Sequence, residues 1–151
     1  MKRFHFTLRP VAVLRAHREV RAREAFAGAL HRLASAEDAL LRVGVRMRAL
    51  EAALATGRST SFRAAEAALL LSDYRRECET EIQAEAQVET ARADMKKFRT
   101  AYLEAHRELE VVNRLEIKSR DVHRRDGLRE EQAELDELAG QRHQQPLTAA
   151  P

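Results

Sequence analysis

The stretch FAGALHRLASAEDALLRVGVRMRALEAAL, from Phe26 to Leu54, decides the fold. Phe26, Leu33, Leu40, Met47 and Leu54 recur every seven residues, and Ala29, Ala36, Val43 and Leu50 each fall three residues after one of them. This 3–4 alternation lays one apolar stripe along one side of a helix, the sequence form of a coiled-coil seam. The same pattern returns downstream. Val88, Met95, Tyr102 and Leu109 recur at sevens, with Ala84, Ala91, Phe98, Ala105 and Val112 completing the alternation. Each stripe sets large side chains at one position against mostly small ones at the other, which lets two helices approach closely.

Between the stripes, Thr56-Gly57-Arg58-Ser59-Thr60-Ser61 is the one good loop signal. Gly57 suits a left-handed C-terminal cap, and Thr60 or Ser61 suits the N-cap of a following helix. A connection this short dictates antiparallel pairing. Folding about Ser59 places Leu33 near Val88 and Phe26 near Met95, and brings the start of the first helix to residues 109–112, where the second stripe also ends. The expected fold is therefore all-α: two long helices forming an antiparallel coiled-coil hairpin within a single domain, 1–140. Helix 1 runs over about 10–56, the loop over about 57–61 and the longer helix 2 over about 62–139. Pro10 suits a first helical position, where its missing N–H costs nothing. Asp126-Gly127 is a candidate break near 127, and 141–151 reads as a disordered polar tail. Beyond Val112 the apolar residues Leu115, Val122, Leu128, Leu135 and Leu138 fall out of register, so this part overhangs as a single amphipathic helix, marginal without a partner.

Composition agrees. Of 151 residues, 27 are Ala, 18 Leu, 18 Glu and 27 Lys or Arg, a bias that reads as long helix. Nine Val, two Ile and no Trp argue against a sheet. So little bulky apolar material does not assemble an enzyme-like interior with a deep pocket. No Gly-rich phosphate loop, paired-Cys metal spacing or nucleophile elbow is present, and the six histidines form no i, i+4 pair. Expected catalytic, cofactor and metal residues are accordingly none, and the chain reads as not an enzyme.

Charged residues make up 34% of the chain, yet the net charge is +3, with the signs interleaved as on solvated helix faces. Nucleic acid is not an expected partner. The distribution says more than the sum: residues 1–23 are strongly basic, and residues 66–90, with Glu66, Asp73, Glu77, Glu79, Glu81, Glu85 and Glu89, are acidic. The lone Cys78 suits a reducing compartment. Arg9 and Pro10 interrupt any apolar leader, and no apolar run reaches the ~20 residues of a membrane span. A cytoplasmic protein without direct membrane insertion is expected.

Apolar residues exceed what one seam requires in two places. Leu69, Leu70 and Leu71 are consecutive and span about 200° of helix circumference, so at least one faces away from helix 1. Tyr74, Cys78 and Ile82 continue one flank of that cluster. Near the N-terminus, Phe4, Phe6 and Leu8 precede the helix and Val11, Val13 and Leu14 spread around its first turns, while Val111, Val112 and Leu115 do likewise on helix 2. Either the ends of the hairpin cover themselves, or these are two partner-binding patches.

The same residues carry a family resemblance. Arg3-Phe4-x-Phe6-x-Leu8, then Val11, Leu14-Arg15 and Glu19 ahead of an Ala-rich helix, resembles the opening of the flagellar export protein FliJ family. Leu115-Glu116, followed by Glu130-Glu131-Gln132-x-x-Leu135-Asp136-Glu137-x-Ala139, is similar to that family's C-terminal signature. The resemblance implies an antiparallel coiled coil like the central stalk of rotary ATPases. It would be seated in the pore of a hexameric export ATPase, promoting its assembly and activity and contacting the membrane-embedded export gate. Export chaperones are further partners, and the protein would associate peripherally with the membrane-bound apparatus of flagellum biogenesis, type III secretion and motility. On this view Arg15 and Arg18, with Lys96, Lys97 and Arg99 across the seam, face the ATPase, and Leu70, Leu71, Tyr74 and Cys78 face the gate. The equivalent stalk of a virulence injectisome, a generic coiled-coil scaffold, and a basic nucleic-acid or membrane-surface binder are the alternatives.

Overall fold

A computed structural model describes residues 3–59 and 63–144. It contains two helices, α1 (Arg9–Ser59) and the longer α2 (Ala64–Gln144), packed as an antiparallel hairpin, with no strand among the described residues. Helix α1 starts where the backbone N–H of Arg9 donates to the Phe6 carbonyl at 3.2 Å and that of Ala12 to Leu8 at 3.0 Å. Pro10 lies in this first turn, where no intrahelical donor is needed. At the far end Arg58 sits in the last turn of α1, and Glu66 in the first turn of α2, each of the sign that the helix dipole favours there. The Arg63 carbonyl opens α2 by accepting from the N–H groups of Glu66 and Ala67.

Two local expectations are corrected. Gly57 does not take a left-handed cap: it lies within α1, buried, and no described glycine has a positive φ. The reason is its position three residues after Leu54, which continues the 3–4 spacing and places Gly57 on the seam, where the opposing helix favours a small residue. Likewise Asp126-Gly127 does not break α2, which runs through both. The expected caps at Thr60 and Ser61 and most of the expected tail, 145–151, lie outside the described residues.

The chain divides into two compact units, Glu19–Ala105 and the combination of Met1–Arg18 with His106–Pro151. In the central unit the inward faces are the two stripes read from the sequence. Ala29 and Val43 on α1 and Ala84 and Val88 on α2 are buried, and Phe26, Leu33, Met47, Met95 and Tyr102 are half-buried between them. The register differs from expectation. The Phe26 ring stacks on Tyr102 at 5.9 Å and 9°, one heptad beyond Met95, and the Arg32 guanidinium lies 5.9 Å over the ring of Phe98. Because α1 persists through Gly57 to Ser59 and α2 begins only at Ala64, the fold point moves past Ser59 and every partner on α2 moves with it.

In the terminal unit Val112 and Phe6 are buried. The inward face of α2 does not stop at Val112 but continues, half-buried, through Glu116, Ser119 and His123. The non-helical segment ahead of α1 covers it: Phe4 meets the His123 ring edge-to-face at 5.5 Å and 77°. Past Gly127 the described side chains of α2 are all exposed.

Candidate partner-binding surfaces

Near the start of α2, the consecutive leucines divide as helix geometry requires. Leu70 turns toward the seam and is half-buried, whereas Leu69 and Leu71 are 64% and 46% exposed. Tyr74 and Cys78 follow at i+4 and i+8 from Leu70 and are half-buried. The Tyr74 hydroxyl donates to Glu51 Oε1 on α1 at 3.0 Å. That hydrogen bond, together with the charge of Glu51 and the neighbouring Cys78, raises the phenol's pKa above its ordinary range. Of the four residues expected to face the gate, Leu71 offers the most free apolar surface, and Leu70, Tyr74 and Cys78 are partly used in holding the helices together. Ile82, 67% exposed, extends the flank.

An ion pair lies beside this patch. Arg46 Nε donates to Glu77 Oε1 at 3.0 Å across the helices, while Glu77 Oε2 is buried and has no hydrogen-bond partner. Glu77 occupies a seam position of α2, which the sequence pattern of large and small apolar residues did not include. Its signal was its spacing, seven residues before Ala84.

The residues expected to face the ATPase do not share one unit. Arg15 and Arg18 belong to the terminal unit, and Lys96, Lys97 and Arg99 to the central one. Opposite Arg15 stands Glu108: Arg15 Nη1 donates to the Glu108 carbonyl at 2.9 Å, and its Nε lies 3.9 Å from the carboxylate. Arg15 is thus half-buried and engaged, whereas Arg18, Lys96, Lys97 and Arg99 are exposed. Lys96, Lys97 and Arg99 flank Phe98, whose partner across the seam is Arg32. Arg92, on the same helix, bridges to Glu37 at 3.5 Å.

The terminal unit adds contacts that no apolar period marks. Arg120 packs its guanidinium 5.6 Å over the Phe4 ring and holds Glu116 at 3.1 Å one turn back. Arg3 and Arg9 line the same cleft. Phe4 and Phe6 signalled an apolar opening, but nothing in the spacing of α2 marked Glu116, Arg120 and His123 as the surface beneath them. Elsewhere on α2, Val111, Leu115, Ile117, Val122, Leu128, Leu135 and Leu138 remain exposed.

Among the described residues no cluster of three or more His, Cys, Asp or Glu is placed to hold a metal ion. No described helix is long and apolar enough to cross a membrane. A family model described as flagellar FliJ protein matches residues 4–148, nearly the whole chain. No curated protein and no solved structure matches it.

Proposed function

Because the chain belongs to the flagellar FliJ protein family, and is thereby a component of the flagellar protein export apparatus, we propose that it acts there as a non-enzymatic stalk. It seats in the hexameric export ATPase, activates it, and links it to the membrane protein of the export gate. It works in the cytoplasm, peripherally attached to the membrane-bound apparatus, and export chaperones are additional partners. The observation that carries this reading is the surplus outside the seam. A helix pair needs one closed stripe, yet this one keeps exposed leucines at Leu69 and Leu71 and exposed cations at Arg18, Lys96, Lys97 and Arg99.

Mechanically, a helix pair inside a ring does no chemistry. It favours those subunit arrangements with which it makes more contacts, and the difference in contact energy is the coupling between stalk and turnover. Arg15, Arg18, Lys96, Lys97 and Arg99 are assigned to the ring; Leu70, Leu71, Tyr74 and Cys78 are assigned to the gate. Purified protein added to the cognate ATPase is expected to raise hexamer formation and turnover together. Unchanged assembly and unchanged turnover across a titration would overturn the proposal. Arg18→Glu with Lys97→Glu should weaken stimulation, and Leu71→Asp should leave it intact while reducing capture of the gate protein.

A further inference from the structure

The cleft between the N-terminal segment and α2 has a volume of about 440 Å³ and a marked excess of positive charge. Three guanidinium groups line it, Arg3, Arg9 and Arg120, against the single carboxylate of Glu116. Glu116 is already held by Arg120 at 3.1 Å. Arg3 and Arg9 have no carboxylate partner among the described residues. Arg9 is also the first residue of α1, whose first turn contains no acidic side chain, so the positive end of that helix dipole adds to the same field. One wall is aromatic: the Phe4 ring is half-buried, with Arg120 over its face and His123 at its edge.

We propose that this cleft binds a carboxylate-bearing segment of a protein partner, with an acidic side chain taken by Arg3 and Arg9 and an adjoining apolar side chain resting on Phe4. Paired guanidinium forks match the geometry of a carboxylate and make charge-assisted hydrogen bonds to it. Glu116 decides against a phosphate-rich ligand, because a dense polyanion in the cleft would face a fixed carboxylate at close range. A single carboxylate leaves the Arg120–Glu116 pair in place. The aromatic wall has no counterpart to meet in an inorganic anion, but it gives a mixed acidic and apolar peptide a second anchor. The site lies within the terminal unit and does not depend on which protein of the apparatus supplies the acidic segment.

The test titrates the full chain into a short fluorescein-labelled peptide alternating Glu and Leu and follows anisotropy at moderate salt. Arg3→Gln with Arg9→Gln is expected to weaken binding by about tenfold or more, as loss of two charge-assisted contacts requires. Arg63→Gln with Arg75→Gln, an equal change of charge on exposed residues that do not line the cleft, should change it by less than about twofold. Phe4→Ala should weaken it as well. Four results would overturn the proposal: no binding of the peptide, equal binding of a Gln/Leu version, equal losses from both arginine pairs, or displacement of the peptide by inorganic pyrophosphate at lower concentration than by free Glu/Leu peptide. Stimulation of the ATPase is a separate measurement, so failure of the stalk reading and failure of this site are distinguishable.

Discussion

Between Glu19 and Ala105 each helix covers the other, whereas past Val112 the inward face of α2 is covered by chain that is not helical. The central unit closes with small residues facing large ones: Ala29 is 1% exposed and Val43 3%. The terminal unit closes on a polar face, with Phe4 packed on His123 and Arg120 and Phe6 lining the same cleft as Glu116. The first arrangement is a periodic seam in which each knob depends on its neighbours. The second is a strap of non-helical chain that carries two rings, Phe4 and Phe6. Disturbing one residue should therefore spread through the central unit but stay local in the terminal one.

The largest expected effect tests that contrast directly. Val88 is 6% exposed on the seam of α2. Val88→Asp should cost about 3 kcal/mol or more, the scale of an uncompensated buried charge, and lower the melting transition followed by circular dichroism. Ser119→Asp sits on the already polar stripe of α2 and should cost less than about 1 kcal/mol, as surface-like substitutions do. Equal losses from the two would erase the distinction between the units.

Removing a strap ring comes next. Phe6 is 7% exposed, and Phe6→Ala should cost about 2–3 kcal/mol, somewhat below the range for a fully packed core phenylalanine. The loss should appear as faster amide exchange over residues 106–123, with residues 26–50 still protected, because local opening involves only the contacts that are lost. Uniform loss of protection along both helices would show that the strap is part of one cooperative seam.

These two regions also differ in how far the sequence foretold them. The stripes at Phe26–Leu54 and Ala84–Val112 were legible because every seam residue there obeys one period, and that period fixes which face is inward. The register was not, since it depends on where α1 stops. Gly57 reads as a helix end by propensity, but its place on the seam outweighs that preference and keeps it helical. The terminal unit was legible as an apolar surplus, Phe4, Phe6, Leu8, Val11, Val13, Leu14, Val111, Val112 and Leu115, without the face that the rings cover. The residues that meet the two rings, Glu116, Arg120 and His123, are polar, and periodicity of apolar residues carries no signal for a polar face covered by aromatic rings. Of the residues expected to meet partners, Arg15 was recognisable as a cation, but its engagement by Glu108 follows from the register.

Smaller effects refine the account of the central seam. Arg46→Ala leaves Glu77 without its cation, with one carboxylate oxygen already buried and unpartnered. Since Arg46 is 49% exposed and water reaches the pair, the loss should be about 1 kcal/mol and not that of a fully buried pair. Replacing both, Arg46→Met with Glu77→Leu, should restore the loss or better it, as apolar substitutes for half-buried ion pairs do. Thermal melts of the single and double variants measure this. Gly44 lies in mid-α1 with nothing within 4 Å of where a Cβ would stand. Gly44→Ala should therefore stabilise by about 0.5–1 kcal/mol through backbone entropy alone. If it destabilises, the seam around Val43 is tighter than that open space implies.

The smallest effect belongs to Tyr74, where the two helices meet near the start of α2. Its hydroxyl is a proton donor to Glu51, and that contact favours the neutral phenol. The folded-state pKa is raised, so the folded chain holds this proton more tightly than the unfolded chain does. The resulting stabilisation is complete below the unfolded phenol's value, about pH 10, and is lost as pH rises through the higher folded value. Stability measured from pH 8 to 11 should thus fall more steeply in the wild type than in Tyr74→Phe, and the two curves should run parallel below about pH 9, where the phenol is neutral in both states. Because Tyr74 is reached by solvent, the difference should be small, and salt should reduce it further. A Tyr74→Phe curve as steep as the wild type's would assign the alkaline loss to other groups and leave the Glu51 contact without energetic weight.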